Sequence, residues 1–361
     1  MHHFSPANIK LDQLTGLRYF AALLVFLSHI EWDESNMFST ILKQGYVGVS
    51  FFFVLSGFIL SHSYGWRILN GSLCFREYIL LRFARLSPLH FATAAPFVFF
   101  ACYKNDFQPT KILLNLSFLQ SWIPNSTYYF SLNAPSWSLS NEMFFYACFF
   151  PLVLLPLNKL LKLCCGLLAL ITFVAAIFSL TLTDHVFFGE ISFAHWLFYI
   201  FPGFRLLEFI VGMCLYHAWR NNFRFNKVLA IPSYIILFLA MYFASDVSEE
   251  FRMSLYFIPF IALFFYAHLS DEGVFVRVLS SKIMMLLGNA SFAFYLIHQP
   301  LILVLRRVLG RFEFSDISFA FISLTIISFV SVLIYLFYER KAELFLKSFF
   351  INKKRERIAA T

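Results

Sequence analysis

Long apolar segments follow one another along almost the whole chain, and only short polar stretches separate them. A helix that crosses a bilayer needs about 20 mostly apolar residues. Segments that approach this pattern occur at 14–31, 45–63, 86–103, 137–157, 163–182, 197–219, 228–245, 254–269, 283–305 and 317–338. The pattern therefore predicts an all-α integral membrane protein, folded as a bundle of about ten transmembrane helices.

The polar stretches leave no room for a soluble domain. The longest lies at 104–136, and its apolar portion at 113–122 predicts a short interfacial or re-entrant helix. We expect one transmembrane domain at 10–345, followed by a basic cytoplasmic tail at 346–361. Residues 1–10 lack the features of a cleavable signal peptide, so we expect the first helix to stay in the membrane.

Composition supports the membrane prediction, and the placement of charge refines it. The chain is 60% hydrophobic and 13% charged, whereas soluble domains have about 25% charged residues. A net charge of +8 would suit nucleic acid, but 19 Lys and Arg residues fall on one predicted side of the membrane and five on the other. This asymmetry predicts two cytoplasmic termini, a basic tail on anionic lipid and no nucleic-acid partner.

Two ionisable residues, Arg18 and His29, interrupt the first apolar segment. At about 100° per residue their spacing makes about three full turns, so both project from nearly the same helix face, about 16 Å apart along the axis. Ionisable groups inside a span are costly and usually face a cavity or a partner. The alternatives are snorkelling for Arg18 and a hydrogen-bonded packing role for His29.

The first segment, GLRYFAALLVFLSHI at 16–30, resembles the first helix of the acyltransferase-3 family of membrane acyltransferases. Five further stretches and one arginine pair are similar to family motifs: VGVSFFFVLSGFIL at 47–60, Arg82 and Arg85 before Pro88, PSWSLSNEMFFY at 135–146, FPGFRLLEFIVGM at 201–213, ASFAFYLIHQP at 290–300 and YERKAE at 338–343. The resemblance covers nearly the whole chain. It implies an O-acyltransferase that modifies bacterial surface glycans or small molecules.

Acyl transfer from a thioester to a hydroxyl needs a base for the hydroxyl proton and cations for the phosphates of the donor. His29 suits the base, because a neutral imidazole accepts a proton near neutral pH. Arg82 and Arg85 lie at the predicted cytoplasmic border and suit the phosphates of acyl-CoA, with acetyl-CoA as the expected donor. Arg18 would guide the pantetheine arm between them and His29. The alternative for Arg82 and Arg85 is ordinary positive-inside charge.

The fourth apolar segment carries polar residues on one face, because Ser138, Glu142 and Tyr146 recur every four positions. We predict that Glu142 is catalytic, orienting His29 or holding acceptor hydroxyls; its alternative is a carboxylate favoured by the helix start. The predicted substrate-binding residues are Trp137, Ser138, Ser140, Tyr146, Arg205 and Glu208.

Three of these interpretations stay open on the sequence alone. Trp137 suits either the membrane interface or a sugar-stacking platform. Arg205 and Glu208 share a helix face, so a structural ion pair is as good an explanation as a substrate contact. For His298, two residues before a proline, a structural role is favoured over a functional one.

Other reactive signatures are missing. The sequence contains no GxSxG nucleophile motif, no phosphate-binding or dinucleotide-binding glycine loop and no His/Cys cluster with metal-ligand spacing. We therefore expect no metal, with acyl-CoA as a co-substrate.

Taken with the resemblance, these residues predict transfer of an acyl group, most simply acetyl, to a hydroxyl of a free or lipid-linked surface glycan. The resemblance also implies a bacterial inner membrane. The leading acceptor is lipopolysaccharide O-antigen, and a nodulation-type oligosaccharide, a periplasmic glucan and a macrolide are open alternatives. A polytopic transporter or flippase of a glycan or lipid intermediate is the alternative, because internal charge would serve it too. A transporter would have no reason to release CoA from acetyl-CoA.

Overall fold

The computed structural model describes residues 11–33, 37–181, 191–221, 229–269, 273–312 and 314–359. Within these ranges the chain is helical and contains no β-strand, so the prediction of an all-α fold is confirmed. The helices, in chain order, are α1 (Asp12–Ser28), α2 (Met37–Lys43), α3 (Val47–Leu69), α4 (Phe75–Tyr103), α5 (Pro109–Leu116), α6 (Ser126–Tyr129), α7 (Trp137–Val153), α8 (Leu157–Thr181), α9 (Phe193–His195), α10 (Pro202–Arg220), α11 (Ala230–Phe243), α12 (Glu249–Phe251), α13 (Ile258–Ala267), α14 (Val274–Leu279), α15 (Lys282–Leu309), α16 (Asp316–Ile334) and α17 (Arg340–Ala359). Lys10, Arg224 and Lys227, which contributed to the predicted charge asymmetry, lie outside the described residues.

Several of these elements join end to end into longer helices. By length and composition, seven continuous helices of the described chain can cross a membrane: Phe38–Leu69, Phe75–Tyr103, Leu157–Leu180, Phe193–Arg220, Glu249–Ala267, Lys282–Leu309 and Asp316–Phe350. π-Helical turns make three of the junctions, for example Trp196–Ile200 between α9 and α10. These seven helices confirm a multi-pass membrane fold.

The predicted number of about ten spans is too high by this measure. Three of the predicted segments coincide with shorter helices, since α1 and α7 have 17 residues each and α11 has 14. A helix of 17 residues is about 26 Å long, somewhat less than the hydrocarbon thickness of about 30 Å. The apolar pattern overestimated these three because it included flanking residues that leave the helix at its ends.

Close backbone contact joins α3 to α10 near the centre of the bundle. A Cβ atom on Gly57 of α3 would lie 1.9 Å from the carbonyl oxygen of Phe209, and one on Gly212 of α10 would lie 1.9 Å from that of Val54. Only glycine fits at either position. Small residues allow such an approach in membranes, where packing drives helix association because lipid is as apolar as the helices.

The central helix α1 packs on α15 and α3, and α15 packs in turn on α16 and α4. On the other side, α7 packs on α3 and α4, while α17 covers α4. Helices α1, α3, α4, α7 and α15 therefore surround a common interior space. The candidate site lies there.

Candidate active site

A cavity of about 160 Å³ lies between these five helices. Its wall is largely apolar but includes polar side chains from every helix: Arg18, Ser56, Arg82, Arg85, Ser138, Glu142, Tyr146, Ser291 and Tyr295. Six of the eleven predicted site residues are among them, from α1, α4 and α7. The residues Ser56, Ser291 and Tyr295 were not singled out from the sequence, because single hydroxyls in apolar helices carry no distinguishing pattern.

The arginines of the cavity differ in what compensates their charge. Arg85 is ion-paired with two carboxylates, at 2.6 Å from Glu339 and 2.9 Å from Glu343. Glu339 is 1% exposed, and Glu343 also pairs with Lys347. The charge of Arg85 is therefore compensated within the protein.

Arg82 has an aromatic environment in place of a carboxylate. It donates a hydrogen bond to the Tyr64 hydroxyl, and its guanidinium lies 4.4 Å from the centre of the Tyr64 ring and 5.8 Å from that of Tyr146. Its Nε is buried and has no hydrogen-bond partner in the described chain. No described carboxylate forms an ion pair with Arg82.

Arg18 reaches the cavity from α1 and is half-buried. Among the described residues none forms a hydrogen bond or an ion pair with it, although Glu142 and Glu339 lie within electrostatic range. Arg18 and Arg82 are thus the two cations of the cavity that keep guanidinium N–H groups available to an anionic ligand.

Glu142 accepts hydrogen bonds from the Tyr146 hydroxyl at 2.7 Å and from the Ser56 hydroxyl at 3.4 Å. It makes no hydrogen bond with His29, so contact gives no support to the predicted role of orienting that imidazole. It faces the cavity one turn into α7. Holding an acceptor hydroxyl remains a prediction for this carboxylate.

His29 lies just beyond the C-terminal end of α1 and is exposed, and it does not line the cavity. Its Nδ1 is 2.8 Å from the Val25 carbonyl oxygen. Because a carbonyl only accepts, Nδ1 carries the proton and Nε2 keeps its lone pair. The ring also meets His298 edge to face, with the ring centres 4.9 Å apart.

The structure does not bring Arg205 and Glu208 to the cavity. They form a buried ion pair at 3.1 Å on α10, and Arg205 is 1% exposed. Arg205 also donates to the Met253 carbonyl at 3.0 Å and to the Ser50 hydroxyl at 3.1 Å. These contacts fit the structural alternative, because the ion pair is internal to α10 and the two hydrogen bonds of Arg205 join α10 to neighbouring segments.

Trp137 and Ser140 also lie outside the cavity wall. Trp137 is buried, with its ring centre 5.0 Å from that of Tyr199. Ser140 donates to the Phe118 carbonyl at 2.7 Å. Both are turned away from the cavity because they sit about 140° and 160° around α7 from Glu142, which faces it.

Two carboxylates of the YERKAE stretch at 338–343 were given no role from the sequence. Glu339 and Glu343 lie four residues apart at the junction of α16 and α17, and both face Arg85. Their spacing on one helix face was the available signal, but the sequence did not show that they meet α4. No group of described His, Cys, Asp and Glu residues is suited to hold a metal ion.

Comparison with known proteins identifies the family of this chain. The acyltransferase domain of the acyltransferase-3 family matches residues 11–336. Acyltransferase MdmB of Streptomyces mycarofaciens is 30% identical over 328 residues, which cover 84% of this chain and 82% of that protein. No solved structure matches the chain.

Two longer relatives are only partly covered. Peptidoglycan O-acetyltransferase OatA of Listeria monocytogenes is 27% identical over 338 residues, or 83% of this chain and 50% of OatA. Putative peptidoglycan O-acetyltransferase YrhL of Bacillus subtilis is 25% identical over 342 residues, or 84% of this chain and 50% of YrhL. This chain belongs to the acyltransferase-3 family and is a membrane enzyme that transfers acyl groups.

Proposed function

We propose that the enzyme moves an acetyl group from acetyl-CoA to a hydroxyl of a cell-surface glycan. The observation that supports this most is the cavity in the bundle, where Arg18 and Arg82 present unpaired cations close to Glu142. Ionisable groups in a membrane interior usually mark a substrate path. A phosphate-bearing thioester is a ligand that such cations would hold.

The donor site combines Arg82 and Arg18. Guanidinium groups bind phosphate through parallel N–H bonds, and the unpartnered Nε of Arg82 is a donor that phosphate would satisfy. Acyl-CoA is made in the cytoplasm. We count the shorter helices α1, α7 and α11 as crossings beside the seven long ones, which makes the number of crossings even. We then place both chain termini and the α4 end near Arg82 on the cytoplasmic side of the inner membrane. The pantetheine arm would then run past Arg18 towards the other end of α1.

His29 acts as the base in this proposal. The acceptor oxygen attacks the thioester carbonyl, a C–O bond forms and the C–S bond breaks. The hydroxyl proton moves to Nε2 of His29 and then to the departing thiolate, which leaves as CoA thiol. Tyr295 lines the cavity and its ring centre is 5.7 Å from that of His298, which in turn contacts His29. The acetyl group and the reacting hydroxyl would meet beside His29, past these two side chains, and Glu142 would hold another hydroxyl of the acceptor on the cavity side.

The acceptor is proposed as a glycan because two relatives are named for peptidoglycan. Lipopolysaccharide O-antigen, the acceptor expected from the sequence, belongs to the same chemical class. Both polymers present sugar hydroxyls that a thioester acetylates in the same way.

Two measurements test the proposal. Purified enzyme in lipid vesicles should release CoA thiol from acetyl-CoA when glycan acceptor is present. Surface glycans of strains with and without the gene should differ by the mass of acetyl groups, on either O-antigen or peptidoglycan. Absence of both effects from a well-expressed protein would refute the proposal.

A further inference from the structure

Two histidines from different helices meet at the end of α1. His29 follows α1, and His298 lies within α15, and their ring centres are 4.9 Å apart with the rings at 74°. Helices α1 and α15 pack along much of their length. The contact is therefore held by the fold and does not depend on a flexible segment.

Backbone hydrogen bonds set the same tautomer in both rings. Nδ1 of His29 donates to the Val25 carbonyl, and Nδ1 of His298 donates to the Tyr295 carbonyl. Each ring therefore keeps its lone pair on Nε2. The neutral pair therefore consists of two imidazoles in contact, each with an Nε2 that accepts and carries no proton.

The two acceptors differ in burial. His29 is exposed, whereas His298 is 1% exposed and its Nε2 has no hydrogen-bond partner in the described chain. A buried acceptor without a partner is destabilising and calls for an explanation such as a catalytic role. The imidazole of His29 contacts this ring, and it becomes able to donate once it is protonated on Nε2.

We propose that His298 is a positioning residue that stabilises the protonated form of His29. When His29 takes the acceptor proton, its new Nε2–H donates to Nε2 of His298, and the proton is shared until the thiolate removes it. A hydrogen bond to a charged donor is stronger than one between neutral groups. This inference rests on the proposed role of His29 as the base.

Other charged and titratable groups near the pair are already engaged. Glu31 is ion-paired with Arg306 of α15, and Asp316 of α16 accepts a hydrogen bond from the Asp33 backbone at 2.9 Å. Tyr295, beside His298, donates its hydroxyl to the Pro135 carbonyl at 3.1 Å. None of these contacts supplies Nε2 of His298 with a donor.

The first test is the pH dependence of CoA release. His298→Phe keeps a ring but removes the acceptor, so His29 should hold its proton less tightly. The acidic limb of the rate profile should then move down by about one pH unit, and the maximal rate should fall. His298→Gln keeps an acceptor oxygen and should shift the limb less.

A matched control comes from a second buried histidine. His268 is 2% exposed, its Nδ1 is 2.7 Å from the Phe264 carbonyl oxygen, and its Nε2 has a partner in the Tyr234 hydroxyl. His268→Gln should leave the acidic limb in place. A purely structural role for His298 would lower the amount of folded enzyme without moving the limb, and this result would overturn the inference.

A second measurement needs no activity. Diethyl pyrocarbonate acylates only neutral imidazole, so the pH at which exposed His29 becomes modified, read by mass spectrometry, reports its protonation directly. In His298→Phe the pH at which His29 begins to be modified should move down by the same interval. An unchanged pH of modification in folded protein would refute the proposed role of His298. If wild-type enzyme releases no CoA, the proposed function fails. The modification measurement still shows whether His298 stabilises protonated His29.

Discussion

Replacement of Arg82 and of Arg85 by alanine should affect different properties of the enzyme. From the sequence, both Arg82 and Arg85 were predicted to bind the phosphates of the donor. In the structure Arg85 is held by Glu339 and Glu343, whereas the described partners of Arg82 are aromatic side chains and include no carboxylate. We therefore predict that Arg82→Ala weakens donor binding, and that Arg85→Ala mainly weakens the fold.

The contacts set the size of each effect. A lost charge-assisted contact costs about 1.5–3 kcal/mol, which corresponds to roughly 10- to 150-fold in the Kd of acetyl-CoA for Arg82→Ala. Removing one partner of a buried ion pair costs about 3–5 kcal/mol. Arg85 is 20% exposed while Glu339 is 1% exposed, so we expect the lower end of that range. Arg85→Ala should also change the Kd much less than Arg82→Ala does.

Calorimetric titration with acetyl-CoA and the thermal unfolding of purified protein separate the two effects. Arg85→Ala/Glu339→Gln is the control, because it leaves no buried carboxylate without its cation and should regain part of the lost stability. The reasoning would be refuted if Arg85→Ala unfolded like the wild type and lost donor affinity as strongly as Arg82→Ala. That outcome would mean that the donor displaces the two carboxylates from Arg85.

The remaining predictions concern the base, the topology and the helix packing. His29→Gln keeps the shape of the side chain but not its basicity, so transfer should fall by about 10²- to 10⁴-fold; near-normal acylation of the glycan by this variant would make His29 structural. Reporter fusions in the 104–136 stretch and after residue 358 should report opposite sides of the membrane, and a shared side would contradict the predicted orientation. Gly212→Ala places a Cβ 1.9 Å from the Val54 carbonyl oxygen, so it should cost about 1–3 kcal/mol of stability. Gly166→Ala, where a Cβ meets nothing within 4 Å, is its control, and equal unfolding temperatures for the two variants would contradict the close packing of α3 and α10.

The family resemblance and the site geometry agree on where the chemistry lies. The family match covers residues 11–336, which include every residue of the cavity wall. Glu339 and Glu343, which pair with Arg85, lie beyond that match. Both lie in the YERKAE stretch at 338–343 that resembles a family segment, but the resemblance did not show that they meet Arg85.

Local pattern determined the helices and part of the site. Each predicted apolar segment coincides with a helix, because the length and the apolar content of a segment are properties of consecutive residues. The 100° step of a helix placed Ser138, Glu142 and Tyr146 on one face, and all three line the cavity. The number of spans was less accurate, since a helix end depends on turns and neighbours as well as on hydrophobicity.

The tertiary structure decided which faces meet. Arg85 and Glu339 are 254 positions apart, and His29 meets His298 only because α1 packs on α15. Arg205 and Glu208, with equally polar side chains, pair with each other on α10 instead of facing the cavity, and Arg205 also joins this helix to Met253. In a membrane protein, helix faces that contact lipid and faces that contact other helices are similarly apolar, so the sequence pattern does not reveal helix partners. Partner choice depends on close packing across the whole bundle, as where Gly57 meets α10, and this is why the cavity and the histidine pair emerged only from the folded chain.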